Sequence, residues 1–412
     1  MFDTQVLGEA YPLVTYSDGI YVRTQTQFAA LPEQHVRVVR CANDDGEEIV
    51  AQLAVAQGVI GVVVNTVHKA QELGARLAAR FGKEHVDVLH SGFIDTVRRH
   101  KEEQLCRDIG KGGRRPAFRI VVGTQVIEQS LDIDFDVMVS DLAPMDLLLQ
   151  RIGRLHRHQN ERPQPFVEPH LYVLGVRDGY EFERGTAHVY DEYLLHRTQY
   201  FLHDEIVIPQ DISRLVQAVY SDAPIDAGEQ EVLYQRRKKE HTDGIAKKKE
   251  RAAIYSLDKP SGRLRPTLLR FLENPNRQDM SEVKASAQVR DIEETIEVIA
   301  VKKVGSGYGT FTDAVDISGQ IGQSEVARKL AAETIRLPRI LSRPWEIDST
   351  IRELERYNFD NLREWQDSVW LKGTLGIVFD ERNEFVLKQY RLRYSSELGL
   401  QWERMEGEDG EV

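Results

Sequence analysis

A chain of 412 residues with 41% hydrophobic and 29% charged residues is long enough for two or three domains and has the balance of an ordinary globular protein. Its net charge of −12 lacks the overall basicity that usually marks a nucleic-acid binder, so any such role requires a local groove. Two distant cysteines, Cys41 and Cys106, exclude a disulfide framework or zinc ribbon and fit a reducing cytosol, and the longest apolar run, Gly58 to Val64, is too short to span a bilayer. With no signal pattern in Met1 to Ala10, the cytoplasm is the expected compartment, and no membrane partner is expected.

Residues 1–35 show no strong period and are expected to be an irregular, linking segment. From Val36 strands and helices alternate. Val36 to Arg40 predicts a short strand, Gly46 to Gln57 a helix, and the continuous apolar run GVIGVVVN (Gly58 to Asn65) a strand covered on both faces. His68 to Phe81 predicts an amphipathic helix, Val86 to His90 a strand and Asp95 to Ile109 a helix. Two further buried strands are predicted over Phe118 to Thr124 and Asp136 to Leu142, a helix over Met145 to His158, and a last strand over His170 to Leu174. Such alternation implies βαβ units, hence an open α/β domain with a parallel sheet over roughly residues 36–177.

Beyond Arg177 the pattern turns helical, over Thr186 to His203, Gln210 to Tyr220 and Asp226 to Arg251. Residues 258–285, rich in Pro, Gly, Asn and Ser, predict a linker that closes a helical segment spanning 178–285. The remainder, 286–412, predicts a smaller α+β domain. Its expected strands are Glu294 to Val304, Thr374 to Phe379 and Phe385 to Tyr394, the last two in a hairpin around Glu381–Asn383. A helix is expected over Ser324 to Ile335, and Trp345, Trp365, Trp370 and Trp402 are expected to anchor the core or domain interfaces. The acidic end, Glu406 to Val412, is expected to be disordered.

Two clusters carry chemistry. Gly123-Thr124-Gln125-Val126-Ile127-Glu128-Gln129-Ser130-Leu131-Asp132 follows a predicted buried strand, where open parallel sheets bind ligands. Gly123 permits close backbone approach to phosphate, backbone N–H groups and Thr124 donate, and the Asp132 carboxylate suits a ribose hydroxyl. Taken alone, this cluster is equally a strand followed by a polar turn. The second cluster is Gln150-Arg151-Ile152-Gly153-Arg154-Leu155-His156-Arg157. On a continuous helix its arginines at i, i+3 and i+6 share one face beside that loop, and planar guanidinium groups suit spread-out phosphate charge. The Arg236–Lys239 and Lys247–Lys249 runs are interrupted by Glu240, Asp243 and Glu250, the composition of a solvated helix face as much as of a phosphate-tracking stripe.

QRIGRLHR resembles motif VI of superfamily 2 helicases, and VVGTQVIEQSLDID resembles their motif V. The stretch running on through DFDVMVSDLAPMDLLLQRIGRLHRH is similar to the CRISPR-associated helicase–nuclease of type I systems. NTVHKAQEL (Asn65 to Leu73) resembles motif IV, HSGF (His90 to Phe93) also matches, and AYPLVTY (Ala10 to Tyr16) and QVRDIEETIEVI (Gln288 to Ile299) do so more weakly.

The resemblance implies that residues 36–177 are the second RecA-like motor lobe, with helices on both faces of an open parallel sheet, and that residues 1–35 link it to a first lobe. It also implies an ATP-driven translocase that acts on single-stranded DNA and is recruited to a Cascade-type surveillance complex. Arg154 and Arg157 become candidate arginine fingers, Gln150 and Arg151 part of the same nucleotide-facing turn, and Gly123 and Asp132 nucleotide neighbours. Thr124 and Gln125, with Thr66 and Ser91, become candidate DNA contacts. No G-x-x-x-x-G-K-[ST] loop occurs, since the GKGG at 110–113 lacks its spacing, and Asp191-Glu192 falls in a helical run. Phosphate cradle, Mg²⁺ and nuclease are therefore expected on a first lobe and nuclease domain outside this sequence, leaving this chain inactive alone. His203-Asp204 lacks the companion ligands of a metal site, so none is expected here. Another superfamily 2 helicase, acting on RNA, and a non-catalytic accessory protein that binds DNA or a partner are the alternatives.

Overall fold

A computed structural model describes residues 10–17, 19–128, 131–253 and 295–405. The expected linker at 258–285, the acidic end 406–412, residues 129–130 of the first cluster and the 288–294 part of the weak C-terminal match lie outside the described residues.

Strands β1 (Val14–Ser17) and β2 (Val22–Gln25) come first, then β3 (Gln34–Cys41), α1 (Glu47–Ala54), β4 (Gly58–Val63), α2 (Val67–Phe81), β5 (Val86–Leu89) and α3 (Asp95–Ile109). Next are β6 (Phe118–Gly123), β7 (Val137–Asp141), α4 (Met145–Ile152), β8 (His170–Leu174), α5 (Arg184–Val189), α6 (Glu192–Phe201), β9 (Glu205–Ile208) and α7 (Gln210–Tyr220). The sheet order is β5-β6-β4-β7-β8-β3-β9, parallel throughout except for the antiparallel edge strand β9.

The apolar run of β4 has the predicted cause. Val59 and Val63 face one core layer with Leu105 and Ile109 of α3 and Leu148 of α4. Ile60, Val62 and Val64 face the other, with Val50 of α1 and Leu73 and Leu77 of α2. Alternation along a strand buries both sets only when helices cover both faces. Gly61 is needed there, because a Cβ would stand 2.8 Å from the Phe135 ring. Thr66 starts α2 by accepting a hydrogen bond from the Lys69 N–H at 3.2 Å, and Gly82 ends it at φ +95°.

Several expectations are corrected. Strands β1 and β2 pair antiparallel and are both exposed, where an irregular segment was expected; neither face is buried, so no burial period marks them. The predicted helix over Thr186 to His203 is two, because the Asp191 carboxylate caps a new start by accepting from the Tyr193 N–H at 2.8 Å. The lobe continues past Arg177, since β9 extends the sheet and Leu215 and Val219 of α7 join its core. Residues 225–253 belong to a separate unit containing the 23-residue helix α8 (Glu231–Ala253), on which exposed Arg236 pairs with Glu240 one turn on at 3.9 Å.

In the C-terminal region β10 (Glu297–Val304) pairs antiparallel with β11 (Gly307–Gly309) and, after helix α9 (Ser324–Ala331), with β12 (Thr334–Arg336). Following α10 (Ile347–Asn361), β13 (Gly376–Phe379) pairs parallel with β10. A second sheet is the meander β14 (Glu384–Leu387), β15 (Tyr390–Ser395) and β16 (Gly399–Arg404). The expected hairpin around 381–383 is therefore replaced: β13 joins the first sheet, and Lys388, at φ +55°, breaks the predicted strand 385–394 into two. The helix expected to Ile335 stops at Ala331, because Ile335 pairs with Val298. Of the tryptophans Trp365 is the expected core anchor, buried and donating to the Tyr308 hydroxyl at 2.8 Å, whereas Trp345, Trp370 and Trp402 are exposed and anchor no core.

This region docks on the lobe through the turn between β15 and β16. Ile94, just before α3, is fully buried in the same apolar cluster as Val298, Ile377 and Tyr394. The His90 ring, also fully buried, accepts the Gly92 N–H at Nδ1 (3.0 Å) and donates from Nε2 to the Leu398 carbonyl (3.0 Å). Burial holds its pKa down at about 4, against the Leu398 bond, with Lys101 lowering it further. Between pH 6.5 and 4 the unfolded chain therefore binds a proton that the folded chain refuses, so stability falls as pH falls through that window. The His90 contribution to that loss is about 3 kcal/mol. Thermal melts from pH 7 to 4.5 should show a shallower decline for His90→Gln than for the parent; identical slopes would refute this assignment.

Candidate nucleotide and nucleic-acid site

The two predicted clusters meet, but not on one helix. α4 ends at Ile152, and the chain leaves it because the Phe135 N–H bonds the Arg154 carbonyl (2.9 Å) and the His156 N–H bonds the Phe135 carbonyl (3.1 Å). Residues 154–156 thus run beside the segment leading into β7, with His156 at φ +50°, in place of the helix expected to His158.

The three arginines consequently have different surroundings. Arg151 is fully buried. Its Nε donates to Glu128 Oε1 (2.7 Å), one terminal nitrogen to Ser140 Oγ (2.8 Å) and the Asp141 carbonyl (2.9 Å), and the other to Asn65 Oδ1 (3.3 Å) and Tyr190 Oη (3.4 Å). A guanidinium spent in this way has no donor left for a nucleotide, so the expectation for Arg151 is corrected: it holds the site together from inside. Gln150, its neighbour, is exposed. Arg154 is half-buried and donates to the Glu128 carbonyl at 2.9 Å, while its buried Nε has no hydrogen-bond partner. Arg157 is exposed and donates to Asp132 Oδ1 at 2.6 Å and to the Gly153 carbonyl at 3.2 Å. The two lie close enough that the Arg157 charge, after burial, lowers the Arg154 pKa. Asp132 is kept below the usual carboxylate range, first by the Arg157 hydrogen bond and also by His158, whose Nε2 lies 3.0 Å away. The result is two guanidinium groups on a turn that faces the β6–β7 loop, whose Asp132 supplies one ionised carboxylate.

A buried quartet holds this turn. Asp134 and Asp136, both essentially without solvent contact, each bind Arg115 and Arg162. Asp134 Oδ1 also accepts the Arg157 N–H at 2.9 Å, and Asp136 Oδ2 accepts the Val59 N–H at 2.6 Å.

Gly123 ends β6, and a Cβ there would stand 2.5 Å from Ile127 and 2.7 Å from the Leu89 carbonyl. The glycine is therefore required by packing, a constraint separate from its expected place beside the nucleotide. Thr124 is buried, its N–H bonded to the Leu89 carbonyl at 3.2 Å, so its expected DNA contact is corrected as well. The Gln125 amide, half-buried, donates to Tyr190 Oη (2.9 Å) and the Asn65 carbonyl (3.3 Å). Thr66 and Ser91, both half-exposed, follow the carboxyl ends of β4 and β5.

Sequence reasoning missed Glu128, Asn65, Tyr190 and the aspartate–arginine quartet. The I-D-F-D alternation before a buried strand hints at Asp134 and Asp136, but nothing in the spacing points to Arg162, which is 26 residues beyond Asp136. His203 and Asp204 are exposed, and Asp204 pairs with Arg40 at 2.8 Å. Among the described residues no group of three or more His, Cys, Asp or Glu side chains is placed to hold a metal ion, and no helix is long and apolar enough to cross a membrane.

The fold defines a RecA-like helicase lobe carrying an α+β domain. Residues 56–160 match the C-terminal family model of the CRISPR-associated nuclease/helicase Cas3, and residues 290–400 match the Cas3 C-terminal domain. The Cas3 of Streptococcus thermophilus is 48% identical over 409 residues, which cover 98% of this chain and 44% of that protein. The Cas3 of Thermus thermophilus is 31% identical over 345 residues, 68% of this chain and 36% of that one. The crystal structure of a CRISPR-associated protein superposes with a TM-score of 0.77 at 28% identity, covering 96% of this chain and 44% of that one. T. fusca Cas3 with AMPPNP shares the fold, with a TM-score of 0.70 at 22% identity over 92% of this chain and 44% of that one. This chain belongs to the Cas3 family and corresponds to its C-terminal region, spanning less than half the length of these relatives.

The buried ion pair yields a direct expectation. Arg151→Ala strands the Glu128 carboxylate, already pushed up by burial against the pull of Arg151, and should cost about 3–5 kcal/mol. Chemical denaturation measures this; a loss below about 1 kcal/mol would show that the pair is not closed to water.

Proposed function

We propose that this chain is the rear half of an ATP-driven translocase on single-stranded DNA, unwinding target DNA for degradation in type I CRISPR interference. The observation that supports this best is the Arg154–Arg157 turn, with free or exchangeable guanidinium donors beside the Asp132 carboxylate. The donor set fits a nucleotide: the orphaned Arg154 Nε offers a hydrogen bond to phosphate, and Asp132 an acceptor for a ribose hydroxyl. ATP supplies the phosphoanhydride whose cleavage drives motion. Arg154 and Arg157 would face its γ-phosphate, with Arg157 exchanging Asp132 for phosphate, and Gln150 lies exposed one turn before them.

Mg²⁺, the phosphate cradle and the nuclease would come from a first lobe and nuclease domain, so we propose that this chain alone does not turn over ATP. Thr66, Ser91 and, after rearrangement of its amide, Gln125 would line the DNA path. A Cascade-type surveillance complex would recruit the assembled enzyme, whose expected compartment is the cytoplasm. A chain of a CRISPR RNA-guided surveillance complex in a pre-nicking state shares this fold, with a TM-score of 0.69 at 23% identity.

ATPase assays with single-stranded DNA test this reading, on the chain alone and mixed with a first lobe. Activity should arise only in the mixture and fall by roughly a thousandfold or more in Arg154→Ala. A mixture that stays inactive while DNA or partner binding is intact would favour the accessory-protein alternative.

A further inference from the structure

The C-terminal domain touches the lobe where the candidate DNA path runs. The turn between β15 and β16 reaches two lobe segments more than 300 residues earlier in the chain. The Leu398 carbonyl accepts from His90 Nε2 (3.0 Å) and from Gln71 Nε2 (2.7 Å). The Leu400 carbonyl accepts again from Gln71 (2.9 Å), and the Leu400 N–H donates to the Gly92 carbonyl (2.8 Å). Gly399 sits between them at φ +70°, and a Cβ there would stand 2.7 Å from the Gly92 carbonyl oxygen and 2.9 Å from the His90 ring. No other residue type fits both the backbone conformation and the space.

These bonds straddle Ser91. Its neighbours His90 and Gly92 are both held by the turn and bonded to each other, while Ser91 remains half-exposed. Gln71 lies on α2, whose N-cap is Thr66. Two of the candidate DNA positions, Ser91 and Thr66, are thus tied to a domain that supplies neither of them.

Resting on the DNA-path reading above, we infer that the turn bearing Leu398, Gly399 and Leu400 positions the lobe for single-stranded DNA, fixing Ser91 and, through α2, Thr66. The C-terminal domain thereby acts as a built-in scaffold of the DNA site. Its turn residues are positioning residues: they hold the loop in its binding geometry so that DNA does not have to order it. Undocking should weaken DNA binding roughly tenfold, the equivalent of leaving about one residue's backbone to be ordered on binding. No phosphate-facing cation is lost, so the slope of log affinity against log salt should not change.

The test is fluorescence anisotropy of the full chain with a fluorescein-labelled oligothymidine, comparing the parent with Gly399→Val, Gln71→Leu and Ser91→Ala. Gln71→Leu deletes two of the hydrogen bonds without a clash, and so carries the test if Gly399→Val does not fold. Weaker binding in the turn variants and in Ser91→Ala, at unchanged salt slope and with a cooperative melt retained, is the expected result. Parental affinity in Gln71→Leu and Gly399→Val alongside loss in Ser91→Ala would overturn this inference and leave the DNA-path reading standing. Parental affinity in Ser91→Ala, or no binding by the parent chain, would overturn the DNA-path reading and this inference with it.

Discussion

The Arg151 guanidinium is the point at which the lobe's separate parts are joined. Five hydrogen bonds connect it to the loop after β6 through Glu128, to β7 through Ser140 and the Asp141 carbonyl, to the end of β4 through Asn65, and to Tyr190 ahead of α6. A planar fork with donors in fixed directions serves such a junction, where a lysine would offer a point charge. Burying an ion pair gains little net stability compared with apolar packing, but once buried neither partner can be removed without stranding the other. The interaction therefore specifies arrangement: it fixes where the loop of Glu128 and the turn of Arg154 sit relative to each other.

The accessible chemistry sits outward of that junction. Arg154 borrows the backbone carbonyl of Glu128, so the residue pinned inside by Arg151 also orients an arginine at the surface. Arg157 is held at its backbone by Asp134 and at its side chain by Asp132, one buried carboxylate and one half-exposed. A rigid backbone with an exchangeable side-chain partner suits a group that must meet a transient anion. Lys69 makes a comparable bridge nearby, from α2 to the buried Asp141 (2.8 Å) and to Glu183 (2.7 Å). Burial would lower its pKa, but the two carboxylates outweigh that and leave it raised.

Much of this was legible in the sequence. Helices α3 and α7 and strand β8 begin and end where their periodicity predicted, and the two-faced burial of β4 follows from an unbroken apolar run. Those elements answer to local rules of capping, alternation and burial, which a one-dimensional pattern carries. The motif V and motif VI resemblance brought the right two segments together before any fold was known. It did not separate three arginines that look equivalent at i, i+3 and i+6, of which Arg151 points inward and Arg157 outward.

By itself the sequence determined the fold class, the parallel sheet between two helical layers and the family to which the chain belongs. Only tertiary structure decided where α4 stops, because Phe135, from another segment, takes the Arg154 carbonyl that a longer helix would have used. It also decided that Gly123 serves packing, that Asp134 and Asp136 are neutralised by Arg115 and Arg162, and that Gly399 meets His90 and Gly92 from more than 300 residues away. The reason is the same in each case: hydrogen bonds and ion pairs between distant segments leave no periodic trace, since each needs one residue of the right chemistry at one place.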